Sequence, residues 1–148
     1  MAGILYVVAT PIGNLADLTF RAKEVLESVS LIAAEDKRVS RKLLQHYNIN
    51  NSLITYHDKN EIQQAKKIVE KLKNNDDIAL ISDAGTPCIS DPGYRIVNLA
   101  KRSGVNVVAV PGPSSVVAAL SVSGLPTDHF YFEGFLPFKK GSCSLSLS

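Results

Sequence analysis

Short, wholly apolar runs alternate with helical periods along most of this chain. Ile4 to Ala9 (ILYVVA) is apolar throughout, the pattern of a strand buried on both faces of a parallel sheet. A turn with Pro11, Gly13 and Asn14 follows, and Ala22, Val25, Leu26 and Val29 then recur at helical spacing. Leu31 to Ala34 is the second apolar run, closed by Glu35 and Asp36, and Lys37 to Tyr47 reads as a basic helix. Leu53 to Tyr56 predicts a third strand. Asn60 is placed to cap the next helix, with Gln63 as its capping-box partner and Ile62, Ala65, Ile68, Val69 and Leu72 as the buried stripe. Ile78 to Ile81 predicts a fourth strand, which feeds a long loop, Ser82 to Gly93. From Tyr94 a helix runs to a basic last turn, Lys101 and Arg102, with Gly104 as its C-cap glycine. Val105 to Val110 predicts the fifth strand. Pro113 sits where a first helical residue would, the helix continuing from Ser114 to Ser123 until Gly124 stops it. His129 to Phe132 reads as one more strand.

Such alternation predicts an α/β fold, a mostly parallel sheet of about five strands with helices on both faces. Ligands of these sheets bind beyond the carboxyl ends of the strands, where the strand order switches. Four loops therefore matter: Thr10 to Leu18, Glu35 to Arg38, Ser82 to Gly93 and Pro111 to Ser115. The third packs two glycines, two prolines, two serines and two aspartates into twelve residues, a composition that fixes turns and offers polar groups. Its aspartates suit turn and capping roles as well as ligand binding.

The 148 residues fit one domain, expected over residues 1–138, and the stretch KKGSCSLSLS from Lys139 loses all periodicity, so 139–148 is expected to be an unstructured tail. Hydrophobic residues at 45% and charged ones at 20% are ordinary for a globular protein, and no apolar run approaches the roughly 20 residues that span a bilayer. The apolar start lacks a basic leader region, so a cytoplasmic protein without a membrane partner is expected. A net charge of +2 is too small to argue for nucleic acid by itself. Cys88 and Cys143 form no CxxC pair, and no metal site is expected. Neither GxGxxG nor GxxxxGK[ST] occurs, which turns the search towards a ligand without a polyphosphate.

At the four loops the sequence resembles the tetrapyrrole-methylase superfamily and, within it, the branch that methylates small-subunit ribosomal RNA. The segments YVVATPIGNLADLTFRA, AAEDKR, ISDAGTPCISDPG and VPGPSSVVAALSVSGLPTDHFYFEGFLP carry the likeness, from about Gly3 to about Lys140. It departs from that branch at Lys37, where Thr is frequent, and at Cys88, where Leu or Gly is. The resemblance implies a homodimeric, two-domain enzyme that uses S-adenosylmethionine (SAM) to methylate the ribose 2′-hydroxyl of a cytidine in the small ribosomal subunit RNA. It also implies that SAM lies in the cleft between domains, and it points to Pro11, Asp83, Gly85, Thr86, Ser114 and Ser115 as cofactor-binding residues. Family chains are about twice this long, so a C-terminal domain is expected to be absent and this chain to fold without methylating.

A ribose hydroxyl attacks well only as its proton leaves, which calls for a general base. The acids and histidines at the strand edge are Glu35, Asp36, His57 and Asp91, with Asp36 or Glu35 ahead of His57. Their structural alternatives are an acidic pair complementing a helix dipole and a surface histidine beside Asp58. Arg38, Arg41 and Lys42 lie on one basic helix and suit RNA phosphates, or else form a solvated face. Two other functions fit the pattern: a C-methylase of a porphyrin or corrin precursor, disfavoured by TPIGNL and DAGTP at the loops, and a non-catalytic module for RNA binding or dimerisation.

Overall fold

The computed structural model describes residues 1–136; the tail expected at 139–148 and the last two residues of the expected domain lie outside the described residues. Two compact units divide the chain, at Ser114 and Ser115.

The first unit holds β1 (Ile4–Val8), α1 (Phe20–Ser28), β2 (Leu31–Ala34), α2 (Lys37–His46), β3 (Leu53–Thr55), α3 (Glu61–Lys73), β4 (Ile78–Ile81), α4 (Tyr94–Arg102) and β5 (Asn106–Val110). The five strands form one sheet in the order β3-β2-β4-β1-β5, and every pairing is parallel. The α/β expectation is thus met.

That order, with right-handed crossovers, decides which face each helix covers. From β1 the chain steps one way across the sheet to β2 and then β3, so α1 and α2 share a face. From β3 it steps back to β4 and on to β5, so α3 and α4 share the other. Side chains confirm the split: Ala79 and Ile81 of β4 pack with Ala22, Leu26, Leu43 and Leu44 of α1 and α2. Their neighbours Ile78 and Leu80 pack with Ile68, Leu72, Ile96 and Ala100 of α3 and α4. Successive residues point to opposite faces and both faces are buried, which is why the strands are apolar runs instead of alternating ones.

Three details differ from the sequence reading. Asn60 precedes α3, but its side chain does not cap it: its Oδ1 accepts from the His57 N–H at 2.9 Å and its amide donates to Thr55 O at 3.0 Å. The amide is spent on the turn before the helix. Ile62 is 59% exposed although it lies only about 20° around the helix from the buried Val69; it stands in the first turn of α3, at the end of the stripe. Pro113 lies in the loop before the last helix, not in its first turn; its carbonyl accepts from the Thr86 hydroxyl at 3.4 Å.

The second unit contains α5 (Ser115–Val122), an apolar helix with no buried residue. The strand expected at His129 to Phe132 is not formed. Phe130, Tyr131 and Phe132 are exposed, and among the described residues none pairs with their backbone.

Candidate functional site

The carboxyl ends of β1 and β2 lead to α1 and α2 on one face, whereas β4, between them, leads to α4 on the other. Adjacent loops therefore diverge at this switch point, the place where such sheets form a ligand crevice, and the loop after β4 is fastened to each of its neighbours. Thr10, after β1, exchanges two backbone hydrogen bonds with Gly85, each 3.0 Å. The Thr10 hydroxyl, itself buried, donates to Ser82 O at 3.3 Å. After β2, the Asp36 N–H donates to Asp83 Oδ1 at 3.1 Å, and the Asp83 N–H lies 3.4 Å from Glu35 Oε2. Thr86 reaches Pro113 after β5.

The 82–93 loop is held in an uncommon conformation. Gly85 (φ +76°), Cys88 (+74°), Ser90 (+56°) and Gly93 (+143°) all have positive φ, and for the two non-glycine residues this is strain of the kind that clusters at ligand sites. Gly85 takes its left-handed turn where the strand-one loop pairs with it, so a β-branched residue there would be strained. Burial pushes the Cys88 thiol up to about 11, so it stays a thiol and packs as an apolar group. The loop ends at Gly93, which has no side chain to cap α4. Tyr56 compensates: its buried hydroxyl accepts from the Ile96 N–H at 3.2 Å, satisfying one first-turn donor.

Acidic groups converge on the crevice. Burial raises the Glu35 carboxyl above its ordinary value; the Asp83 N–H eases this, and the negative charges of Asp83, Asp91 and Asp58 add to it. Asp91 is raised by the same kinds of cause, burial first. Asp36 goes the other way, to about 2, because the Arg38 guanidinium grips its carboxylate at 2.8 Å and its Oδ1 also accepts from the Arg38 N–H at 2.8 Å. Asp36 is the N-cap of α2.

Among residues expected to form a site, Glu35, Asp36, Asp83, Gly85 and Thr86 are joined by these bonds, with Pro11 next to Thr10. Ser114 ends the first unit and Ser115 begins α5 in the second. His57 follows β3; its Nδ1 is buried without a partner among the described residues, and no bond joins its ring to the acids. Arg38, Arg41 and Lys42 are exposed on α2, Arg38 being tied to Asp36. Sequence reading missed Thr10, Asp58 and Tyr56 as contributors. Thr10 sat in a loop already under suspicion, but nothing local distinguishes a tyrosine that caps a helix forty residues on.

A parallel sheet of this order, with its acidic, strained loops on the switch-point edge, defines an α/β fold of the class that binds ligands beyond the carboxyl ends of its strands. Residues 4–140 match the family model for tetrapyrrole (corrin/porphyrin) methylases, and the chain belongs to that family. It is 57% identical over 138 residues to a ribosomal RNA small subunit methyltransferase I from Vibrio cholerae, covering 93% of this chain and 48% of the relative. The namesake from Escherichia coli O157:H7 is 56% identical over 137 residues, with the same coverage. The chain thus spans about half the length of these curated relatives. Among solved structures, a uroporphyrin-III-C-methyltransferase from Thermus thermophilus superposes with a TM-score of 0.62 at 23% identity, covering 86% of this chain and 54% of that one, a likeness of fold alone. No helix among the described residues is long and apolar enough to cross a membrane.

Proposed function

We propose that the whole protein to which this chain belongs transfers a methyl group from SAM to the 2′-hydroxyl of a cytidine ribose in small-subunit ribosomal RNA, in the cytoplasm and as a homodimer. The observation that carries the reading is the crevice in which the β4 loop is bonded to its neighbours after β1, β2 and β5. Identity above half to relatives named for ribosomal RNA favours that substrate over a tetrapyrrole precursor.

The residues present fit the cofactor. Gly85, buried at a left-handed turn against the strand-one loop, fixes the position of the exposed Asp83 beside it, and the acids supply negative potential for a cation. Pro11, Asp83, Gly85, Thr86, Ser114 and Ser115 are the residues we assign to holding it. When bound, SAM supplies an electrophilic methyl on a sulfonium. The chain's own part is to hold the ribose oxygen in line and accept its proton. Glu35 is the preferred acceptor, since its raised carboxyl is closer to a working base than Asp36, whose carboxylate is committed to Arg38 and to the α2 cap. Asp36 becomes a positioning residue, and His57 stands second. Arg38, Arg41 and Lys42 would hold RNA phosphates.

The test uses full-length protein and small subunits lacking the modification. Gly85→Val should weaken SAM binding in calorimetry while the protein stays folded, and Glu35→Gln should bind SAM yet lose methyl transfer by about a hundredfold or more. Unchanged SAM affinity in folded Gly85→Val removes the loop from the site. Full activity in Glu35→Gln hands the base role to another group.

A further inference from the structure

A second concavity lies at the far end of α2 from the crevice. It is a groove of about 250 Å³ with Leu44, Ile49 and Leu53 as its floor and Arg41, Gln45 and Asn50 on its rim. Leu44 and Ile49 are buried, so the floor is fixed. Asn51 also lines it, but that amide is committed to Leu26 O, Val29 O and the Ser52 N–H. The rim is different. Arg41, Gln45 and Asn50 are exposed, and among the described residues their side chains have no hydrogen-bond or ion-pair partner. No carboxylate lines the groove.

We infer that this groove holds one unpaired nucleotide of the RNA substrate, further along the strand from the nucleotide presented at the crevice. The inference rests on the RNA reading proposed above. The space is below the 300–1,000 Å³ usual for pockets that enclose larger organic ligands, and suits a single base. Two free amides match how unpaired RNA is read, by hydrogen bonds to the base edges, with a small apolar contact from Leu44, Ile49 and Leu53 beneath. A guanidinium without a carboxylate partner complements the adjoining phosphate. The path is continuous. Arg38, Arg41, Lys42 and Gln45 stand at i, i+3, i+4 and i+7, one face of α2, which runs roughly 14 Å from the Asp36 cap to Gln45 at 1.5 Å per residue.

The test uses full-length protein and two probes, a short single-stranded oligoribonucleotide of mixed sequence and the same backbone without bases. Gln45→Ala with Asn50→Ala should weaken the intact oligonucleotide about tenfold, two lost hydrogen bonds' worth, and leave the abasic probe and SAM unaffected. Arg41→Ala should weaken both probes and lower the salt dependence. Gln45→Glu, which sets a like charge beside phosphate, should weaken both without touching a buried residue. Equal binding of intact and abasic probes by the parent, or no loss in the double variant, overturns the groove. So does an effect seen with whole particles but never with naked RNA, which would assign the groove to a ribosomal protein. Methyl transfer to small subunits, measured alongside, separates the two readings. Its absence in the parent sinks the proposed function, whereas an active enzyme with groove-independent oligonucleotide binding sinks only this inference.

Discussion

Gly93→Ala should be among the most damaging single-methyl additions in the chain. Gly93 sits at φ +143° and ψ −24°, where an L-residue is strained by about 1–3 kcal/mol whatever its surroundings. The surroundings are also full: an added Cβ would lie 2.4 Å from Cys88 Sγ and 3.0 Å from Leu80 Cδ2. Leu80 is 1% exposed and cannot swing away, so overpacking should cost a further ~1–3 kcal/mol. Together these give roughly 2–6 kcal/mol, a large share of a domain's stability. The two parts separate in a double-mutant cycle. Cys88→Ala removes the 2.4 Å clash but leaves the backbone strain and the Leu80 contact, so the Gly93→Ala penalty should shrink by about 1 kcal/mol or more in that background. Urea unfolding followed by circular dichroism, with slopes compared to exclude a changed denatured state, reads both numbers. An equal penalty with and without the Cys88 sulfur would refute the packing argument. A variant as stable as its parent would refute the account of the loop altogether.

Three further expectations concern other parts of the same edge. Tyr56→Phe leaves the buried Ile96 N–H without its acceptor and should cost about 1–3 kcal/mol, lowering Tm by roughly 2–10 °C; a shift under a degree would mean the α4 turn is satisfied otherwise. Alanine at Arg41 and at Lys42 should each reduce the salt slope of RNA binding by about 0.7, while Arg38→Ala should do less, since its guanidinium is already engaged with Asp36; equal effects from all three would contradict that pairing. Glu35 has a raised carboxyl, so the folded state holds its proton more tightly than the unfolded one, and its contribution is fully present in acid and lost as pH rises through the raised value. Glu35→Gln should therefore melt higher than the parent near neutral pH and gain nothing below the ordinary carboxylate range, and a gain of equal size at both would rule out ionisation as its source.

The strands were legible because a parallel sheet covered on both faces leaves no polar register. Ile78 to Ile81 is buried at every position and reads as strand from its residues alone. Their order was not legible. Which strand lies beside β1 depends on where each helix lands, and β4 inserting between β1 and β2 is a property of the whole set of crossovers. The four loops were found because β-strand ends in such a fold are identifiable, but not the bonds between them, since Thr10 with Gly85 and Asp36 with Asp83 are far apart in sequence. Asn60 and Ile62 failed for a local reason. A capping residue offers one amide, and the sequence does not say whether the helix after it or the turn before it will use it. At 129–132 the β-prone residues Phe130, Tyr131 and Phe132 were read correctly as apolar, but a strand needs an adjacent ladder, and the described residues provide none.

The adjacent acids Glu35 and Asp36 illustrate how one strand end can produce two carboxylates of different character. Both leave β2 at the crevice, and sequence alone treats them as interchangeable. Backbone geometry separates them: Asp36 takes the N-cap position, where its carboxylate meets the Arg38 N–H and, one turn of side chain further, the Arg38 guanidinium. Two charge-assisted contacts hold it ionised far into acid. Glu35, one residue earlier, has the Asp83 N–H at 3.4 Å and the charges of Asp83, Asp91 and Asp58 around it. Its negative charge is therefore the one the crevice resists, and a proton or a cationic ligand relieves it. Opposite displacements of two neighbouring acids are how a fold assigns one to architecture and the other to proton traffic. In this chain the two carboxyls are displaced in opposite directions by which of them the first turn of α2 claims, and the proposed base role of Glu35 rests on that difference.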